Sequence, residues 1–174
     1  MAAQNRNQKV KRLALMGLLF ALAMALSFLE SLLPALPMLP PGIRLGLSNI
    51  ITMYALFVLG PVSGYTIAVL KSLFVLLTRG AVAAAMSAAG GIVSVTVMLL
   101  LSRLPGVKKQ YLLLSIFGGA AHNLGQLLVA AFIVSNIKVF VYFPVLLFSG
   151  MICGTVIGCL SYLILRKLPD RSIS

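Results

Sequence analysis

The sequence predicts an all-α integral membrane protein, a compact bundle of six transmembrane helices with both termini in the cytoplasm. Of its 174 residues, 61% are hydrophobic and only 9% are charged, which is too little polar surface to cover a water-soluble domain. Several apolar runs reach the roughly 20 residues that a helix needs to cross a bilayer. Basic residues flank these runs, so the net charge of +12 indicates topogenic signals and not a nucleic-acid-binding surface.

Segments that contain proline and glycine divide the apolar sequence into six predicted spans. These spans cover residues 13–33, 45–60, 62–79, 82–102, 111–135 and 139–165. Only the pair "GP" separates the second span from the third, so we expect these two spans to form a hairpin. The corresponding boundaries are a basic cytoplasmic N-terminus at 1–12, a single transmembrane domain at 13–166 and a cytoplasmic tail at 167–174.

The distribution of lysine and arginine predicts the orientation of this multi-pass protein in the plasma membrane. A cytoplasmic N-terminus places ten of the fourteen basic residues inside the cell and three outside, with Lys71 inside the third span. Cytoplasmic loops are the ones enriched in these residues. The proline-rich loop 34–44 would then be extracellular.

Three of the four basic residues that do not fit the cytoplasmic pattern are candidates for binding an anionic ligand. Arg44 lies in "PPGIRLGLSNI", beside the start of the second helix, whose free amides favour anions. Asn49 adds an amide group for hydrogen bonding. Lys71 is costly in the middle of a span unless it is paired or hydrated. Arg79, near the end of the same span, is either a ligand contact or an interfacial anchor. We interpret Lys138 as an interfacial anchor.

The chain has only two acidic residues, Glu30 and Asp170. A salt bridge between Glu30 and Lys71 would satisfy both buried charges, and this structural interpretation is compatible with a ligand contact by Lys71. Two carboxylates so far apart offer no acid–base pair, no Asp-rich metal motif and no base for a nucleophile. With a single histidine in the sequence, we expect no enzyme activity, no cofactor and no metal site.

A second polar group lies in the predicted fifth span, in "GGAAHNLGQLLVAAF". His122 and Gln126 are four residues apart and share a helix face, with Asn123 close to it. Polar groups in mid-membrane need partners, so these three either hydrogen-bond between helices and hold the bundle together or line a ligand cavity. Tyr54 could stack against a ring or a prenyl group of such a ligand.

Small residues recur at a spacing of four in two of the spans. Gly17, Ala21 and Ala25 form such a stripe in the first span, and "SGMICGTVIGC" in the last span carries three glycines at the same spacing. Stripes of this kind let two helices pack closely. Either one stripe packs inside the bundle while the other docks a partner, or both serve internal packing.

Several segments resemble known membrane transport families. The basic N-terminus followed by Ala21-x-x-x-Ala25 and "LSFLE" resembles the substrate-binding S components of energy-coupling factor (ECF) transporters. "PGIRLGLSNI", "AAGGIVS" and "HNLGQ" are similar to the Gx transporter family, whose members are often labelled heptaprenyl diphosphate synthase component I. This second resemblance covers nearly the whole chain.

The resemblance implies the membrane subunit of a bacterial ECF-type ABC importer that captures a small, anionic metabolite from the outer face. The metabolite would belong to isoprenoid, quinone, flavin or vitamin metabolism. The stripe Gly17, Ala21 and Ala25 would contact a transmembrane coupling subunit, which works with ATPase subunits.

Two other functions stay open at this point. One is a membrane assembly or scaffold protein for a prenyl- or flavin-linked complex, without transport. The other is a solitary secondary carrier, for which the chain has few titratable groups inside the membrane. A closed polar cavity would favour the binding subunit, whereas a tightly packed bundle would favour the assembly protein.

Overall fold

The structure, a computed structural model, describes residues 2–32, 46–107 and 110–167, and all the regular elements in these ranges are helical. In chain order the helices are α1 (Ala2–Leu32), α2 (Asn49–Leu59), α3 (Pro61–Arg79), α4 (Ala81–Ser102), α5 (Tyr111–Val134) and α6 (Phe143–Lys167). A short 3₁₀-helix, Ile137–Tyr142, leads into α6. Five stretches in the described ranges are long and apolar enough to cross a membrane, which confirms an all-α multi-pass membrane protein.

The second predicted span differs most from its prediction, because α2 is short. It runs from Asn49 to Leu59, and its second half, Ala55–Leu59, is wound as a π-helix. Eleven residues at 1.5 Å each reach about 16 Å, roughly half of the ~30 Å hydrocarbon core. The described chain therefore has five helices of spanning length and one short apolar helix, where the sequence predicts six spans.

Helix α1 begins at Ala2, so much of the predicted basic N-terminus is helical and continuous with the first span. Two contacts fix α2 against it. Arg12 donates a hydrogen bond of 2.6 Å to the carbonyl of Leu59, where a helix end leaves carbonyls without intrahelical partners and favours a cation. Near the other end of α1, Glu30 accepts a hydrogen bond from the backbone N–H of Gly46. The two helices therefore run antiparallel.

The predicted hairpin between the second and third spans is present as α2, Gly60 and α3. Gly60 has φ of +96°, a conformation that favours glycine, and Pro61 occupies the first position of α3, where its missing N–H costs nothing. A single residue, Gly80, joins α3 to α4. Helix α5 packs against both α4 and α6.

The glycine stripe of α6 packs inside the bundle. Gly150, Gly154 and Gly158 lie against α5, and a Cβ atom added to Gly150 would come within 2.7 Å of the carbonyl oxygen of Gly119. At Gly158 it would come within 2.8 Å of the Cα of Leu112. The backbones of the two helices are thus close enough to require glycine.

The small stripe of α1 faces outward. Gly17, Ala21 and Ala25 are all exposed, and a Cβ atom added to Gly17 would meet no atom within 4 Å. The opposite face of the helix carries Leu19 and Ala23, which are buried against α2 and α3. Of the two stripes, then, one is internal to this chain and the other is on its surface.

Candidate functional site

A polar cavity lies at the end of the bundle where α1 and α3 finish and where α2 and α4 begin. Five of the residues singled out from the sequence line it: Glu30 of α1, Lys71 and Arg79 of α3, and His122 and Gln126 of α5. The contact between Arg12 and Leu59 marks the opposite end of the same helices. The fold therefore collects charged and hydrogen-bonding side chains from three helices at one end.

Six more residues line the cavity that the sequence interpretation did not select: Ser27, Gly46, Ser48, Ala83, Met86 and Ser87. A signal for one of them was present, since Ser27 precedes Glu30 by three residues and shares its helix face. Serines in apolar helices commonly bond to the carbonyl three or four residues earlier in their own helix, so their spacing alone does not identify a site.

Lys71 is held by a residue of the neighbouring helix. Its side chain is 2% exposed, and its Nζ donates a hydrogen bond of 2.9 Å to Oδ1 of Asn49. An ammonium group has three donors, so this bond leaves two for other partners. Asn49 is placed beside the cavity as the acceptor for Lys71, and it is not one of the residues that line the cavity.

Glu30 is bonded to the turn that precedes α2. The backbone N–H of Gly46 donates to its carboxylate, and Gly46 has φ of +81°. A Cβ atom at Gly46 would lie 2.9 Å from Nδ2 of Asn49 and 3.0 Å from Cδ2 of His122, so glycine is required there both by conformation and by space. Glu30 and Lys71, predicted as a salt bridge, line the same cavity and bond to Gly46 and Asn49 respectively.

His122 lies between two glycines. Its side chain is 3% exposed, and a Cβ atom added to Gly90 of α4 would come within 2.7 Å of its Nδ1 atom. Gly125 of α5 likewise approaches the backbone of Ala89 and Gly90 closely. Glycines on α4 and α5 therefore make the room in which the imidazole ring reaches the cavity.

Asn123 has the structural role that the sequence interpretation left open for this group. Its Nδ2 donates to the carbonyl of Leu146 at 2.8 Å and to Oγ of Ser149 at 3.2 Å. Both acceptors belong to α6, so Asn123 joins α5 to α6 and does not line the cavity. The residues of the polar motif thus have two different roles, because His122 and Gln126 face the cavity while Asn123 faces another helix.

The remaining two predicted site residues are not part of the described cavity. Tyr54 packs against a buried cluster that includes Leu19, Ala55 and Ile67, on the side of α2 that faces α1 and α3. Arg44 lies outside the described residues, so its assignment to the site stays a prediction from the sequence.

The cavity is small. Its volume is about 20 Å³, enough for roughly one water molecule, and any metabolite would have to displace side chains to enter. Within the described ranges, no group of three His, Cys, Asp or Glu side chains is placed to hold a metal ion. The arrangement can supply cationic donors, hydroxyl groups and one carboxylate to a polar ligand.

Comparison with known proteins agrees with the resemblance seen in the sequence. Residues 19–164 match the model of the family described as heptaprenyl diphosphate synthase component I. Among solved structures, the chain is similar to the S component of a bacterial ECF transporter, with a TM-score of 0.69, 22% sequence identity, and coverage of 91% of this chain and 95% of the other. At this identity the likeness shows a shared fold. No curated protein matches the sequence.

Proposed function

The chain belongs to the heptaprenyl diphosphate synthase component I family and shares the fold of an ECF S component, and from this premise we propose that it is a substrate-binding subunit of an ECF-type importer. It would sit in the bacterial plasma membrane with its cavity toward the outer face. The observation that carries the proposal is the cavity itself, in which Lys71 and Arg79 of α3 and His122 of α5 lie together at one end of the bundle.

The word synthase in the family description does not fit the chemistry of this chain. Magnesium-dependent reactions of phosphates use carboxylates to hold the metal, and this sequence has two acidic residues, Glu30 and Asp170. Asp170 lies outside the described residues, and among the described residues Glu30 is the acidic residue that lines the cavity. A transport role needs no such constellation, and the shared fold is that of a transport component.

The charges of the cavity support an anionic substrate. Lys71 has two ammonium donors beyond the one that Asn49 accepts, and Arg79 offers a guanidinium group in the last turn of α3. Hydrogen bonds from charged donors to an oxyanion are the stronger kind. Since the cavity holds about one water, substrate entry would require the side chains around it to move apart.

The exposed stripe of α1 is the proposed docking surface for a coupling subunit. Gly17, Ala21 and Ala25 leave the helix backbone open to close approach, and the matching stripe of α6 is already used inside the chain. The energy for uphill transport would come from ATPase subunits bound to that partner, because Glu30 alone gives this chain little means of coupling to protons.

Native mass spectrometry of the protein extracted gently from its own membranes tests the binding function. We expect a stoichiometric added mass that is lost in Arg79→Gln and in Lys71→Gln. Lys138→Gln is the matched control, because Lys138 is an exposed cation of the 3₁₀-helix and lies outside the cavity lining. An added mass that survives both cavity substitutions would contradict the proposed site.

The small volume of the cavity favours one alternative, a membrane assembly or scaffold protein without a substrate. In that case the polar residues would hold the bundle together, as Asn123 does. The same spectra separate the two functions. A bare protein mass together with retained protein partners would favour the assembly role.

A further inference from the structure

We infer that the ligand of this cavity is a small hydroxylated anion, a molecule that combines one oxyanion with several hydroxyl groups. The inference rests on the proposed binding function, because it interprets the same cavity. It goes further by naming the chemistry of the ligand, and it departs from the isoprenoid, quinone or flavin ligand that the resemblance implied.

Three serines supply the first part of the argument. Ser27 of α1, Ser48 at the start of α2 and Ser87 of α4 all line the cavity, and each is at most 8% exposed. A serine hydroxyl donates one hydrogen bond and accepts others, which is also what a ligand hydroxyl does. Hydroxyl groups that line one cavity from α1, from α4 and from the turn before α2 match a ligand with hydroxyls on more than one side.

The mixture of charges supplies the second part. Lys71 and Arg79 are donors without acceptor capacity, whereas the carboxylate of Glu30 accepts only. All three line the same cavity. A bare anion would be attracted by the two cations and repelled by Glu30. A ligand that carries hydroxyl donors in addition to its oxyanion can interact favourably with both kinds of group.

The apolar surroundings supply the third part. Among the described lining residues, Ala83 and Met86 are the apolar side chains, and Met86 is packed with Leu127 and Leu146 in a separate buried cluster. Tyr54, the residue expected to stack on a ring, packs against the buried cluster formed by α1, α2 and α3. Prenyl chains and flavin rings bind in pockets with mostly apolar and aromatic linings, unlike this one.

Matched pairs of small probes test the inference with the full-length protein in nanodiscs, by isothermal titration calorimetry. One pair is glycerol 3-phosphate and n-propyl phosphate, and the other is glycerate and propionate. We expect the hydroxylated member of one pair to bind at least tenfold more tightly than its partner. The pair that shows the difference tells whether the oxyanion is a phosphate or a carboxylate.

Serine substitutions assign that difference to the cavity. Ser87→Ala should bring the affinity ratio within the pair close to one. Ser102→Ala is the control, because Ser102 lies near the other end of α4 and bonds to the carbonyl of Leu99. It should leave the ratio as it is in the unsubstituted protein.

Equal binding within both pairs would overturn the inference, and so would farnesyl diphosphate or flavin mononucleotide binding more tightly than either hydroxylated probe. Both of these results would leave the substrate-binding function intact.

If no probe binds, fragmentation of the added mass in the native spectra identifies the chemical class of the bound ligand. A hydroxylated anion supports the inference, and a prenyl, quinone or flavin compound overturns it. A bare protein mass with no probe bound would overturn the binding function and the inference together.

Discussion

Lys71 in the middle of α3 donates a hydrogen bond of 2.9 Å to Oδ1 of Asn49 in the first turn of α2. Both side chains are at most 5% exposed, so a buried ammonium group is paired with a neutral amide. The bond places the charge at the cavity wall. It also connects α3 to α2, and Glu30 of α1 bonds to Gly46 in the turn that precedes α2.

Asn49→Leu should destabilise the bundle, because it removes the acceptor of a buried charged donor. We expect a loss of about 1–3 kcal/mol in the free energy of unfolding, measured by reversible unfolding in bicelles. The double variant Asn49→Leu, Lys71→Met also lacks the charge. Its free energy of unfolding should therefore fall by less than the sum of the decreases in the two single variants. Additive losses would show that the two side chains are not coupled.

Gly154→Ala and Gly17→Ala should have opposite effects, although both add one methyl group to a helix. At Gly154 the new Cβ atom would lie 2.7 Å from the Cα of Ile116, and such overpacking costs about 1–3 kcal/mol. At Gly17 it would meet nothing, and alanine favours the helix by up to about 1 kcal/mol. The thermal midpoints of the two variants check this. A stable Gly154→Ala protein would mean that α5 and α6 can separate at little cost.

Ala21→Leu with Ala25→Leu tests the docking surface of α1. The two side chains are exposed, so we expect the fold and ligand binding to be unchanged. Transport and co-purification of the coupling subunit should be lost, because leucine prevents close helix approach. The control is Ala81→Leu with Ala85→Leu, two exposed alanines four residues apart on α4. If the α1 variant still transports and retains its partner, the stripe is not the docking surface.

Arg44→Ala tests the one predicted cation that lies outside the described residues. If Arg44 makes a charge-assisted hydrogen bond to the ligand, its removal should weaken binding by about 1.5–3 kcal/mol. A binding isotherm for whichever hydroxylated probe binds measures this directly. Unchanged affinity would remove Arg44 from the site and leave the anion to Lys71 and Arg79.

The helices that span the membrane could be predicted closely from the sequence. The expected spans 62–79 and 82–102 correspond to the helices Pro61–Arg79 and Ala81–Ser102. Such spans are predictable because a bilayer requires every backbone group of a crossing segment to be hydrogen-bonded within that segment, as in a helix. The difference at 45–60 has a physical cause. Its apolar composition reads as a span, yet Gly46 adopts a left-handed conformation and turns the chain, so the helix begins only at Asn49.

The site was partly predictable, because charged and amide side chains are rare in mid-membrane sequence. Lys71, His122 and Gln126 were found for that reason, and all three line the cavity. Asn123 belongs to the same motif, but one residue along a helix turns the side chain by about 100°, and it bonds to α6. Ser27 and Ser87 were missed because a serine in an apolar helix is an ordinary residue.

The sequence by itself determined that this protein spans a membrane, that it is helical, and that a few polar side chains must find partners within the helix bundle. Only the tertiary structure decided which of them share a cavity, and which of two similar small-residue stripes is used within the chain. Glycines 150, 154 and 158 are buried against α5, while Gly17, Ala21 and Ala25 remain on the surface. Spacing along one helix fixes which residues share a face, but the packing of helices distant in sequence decides what that face meets.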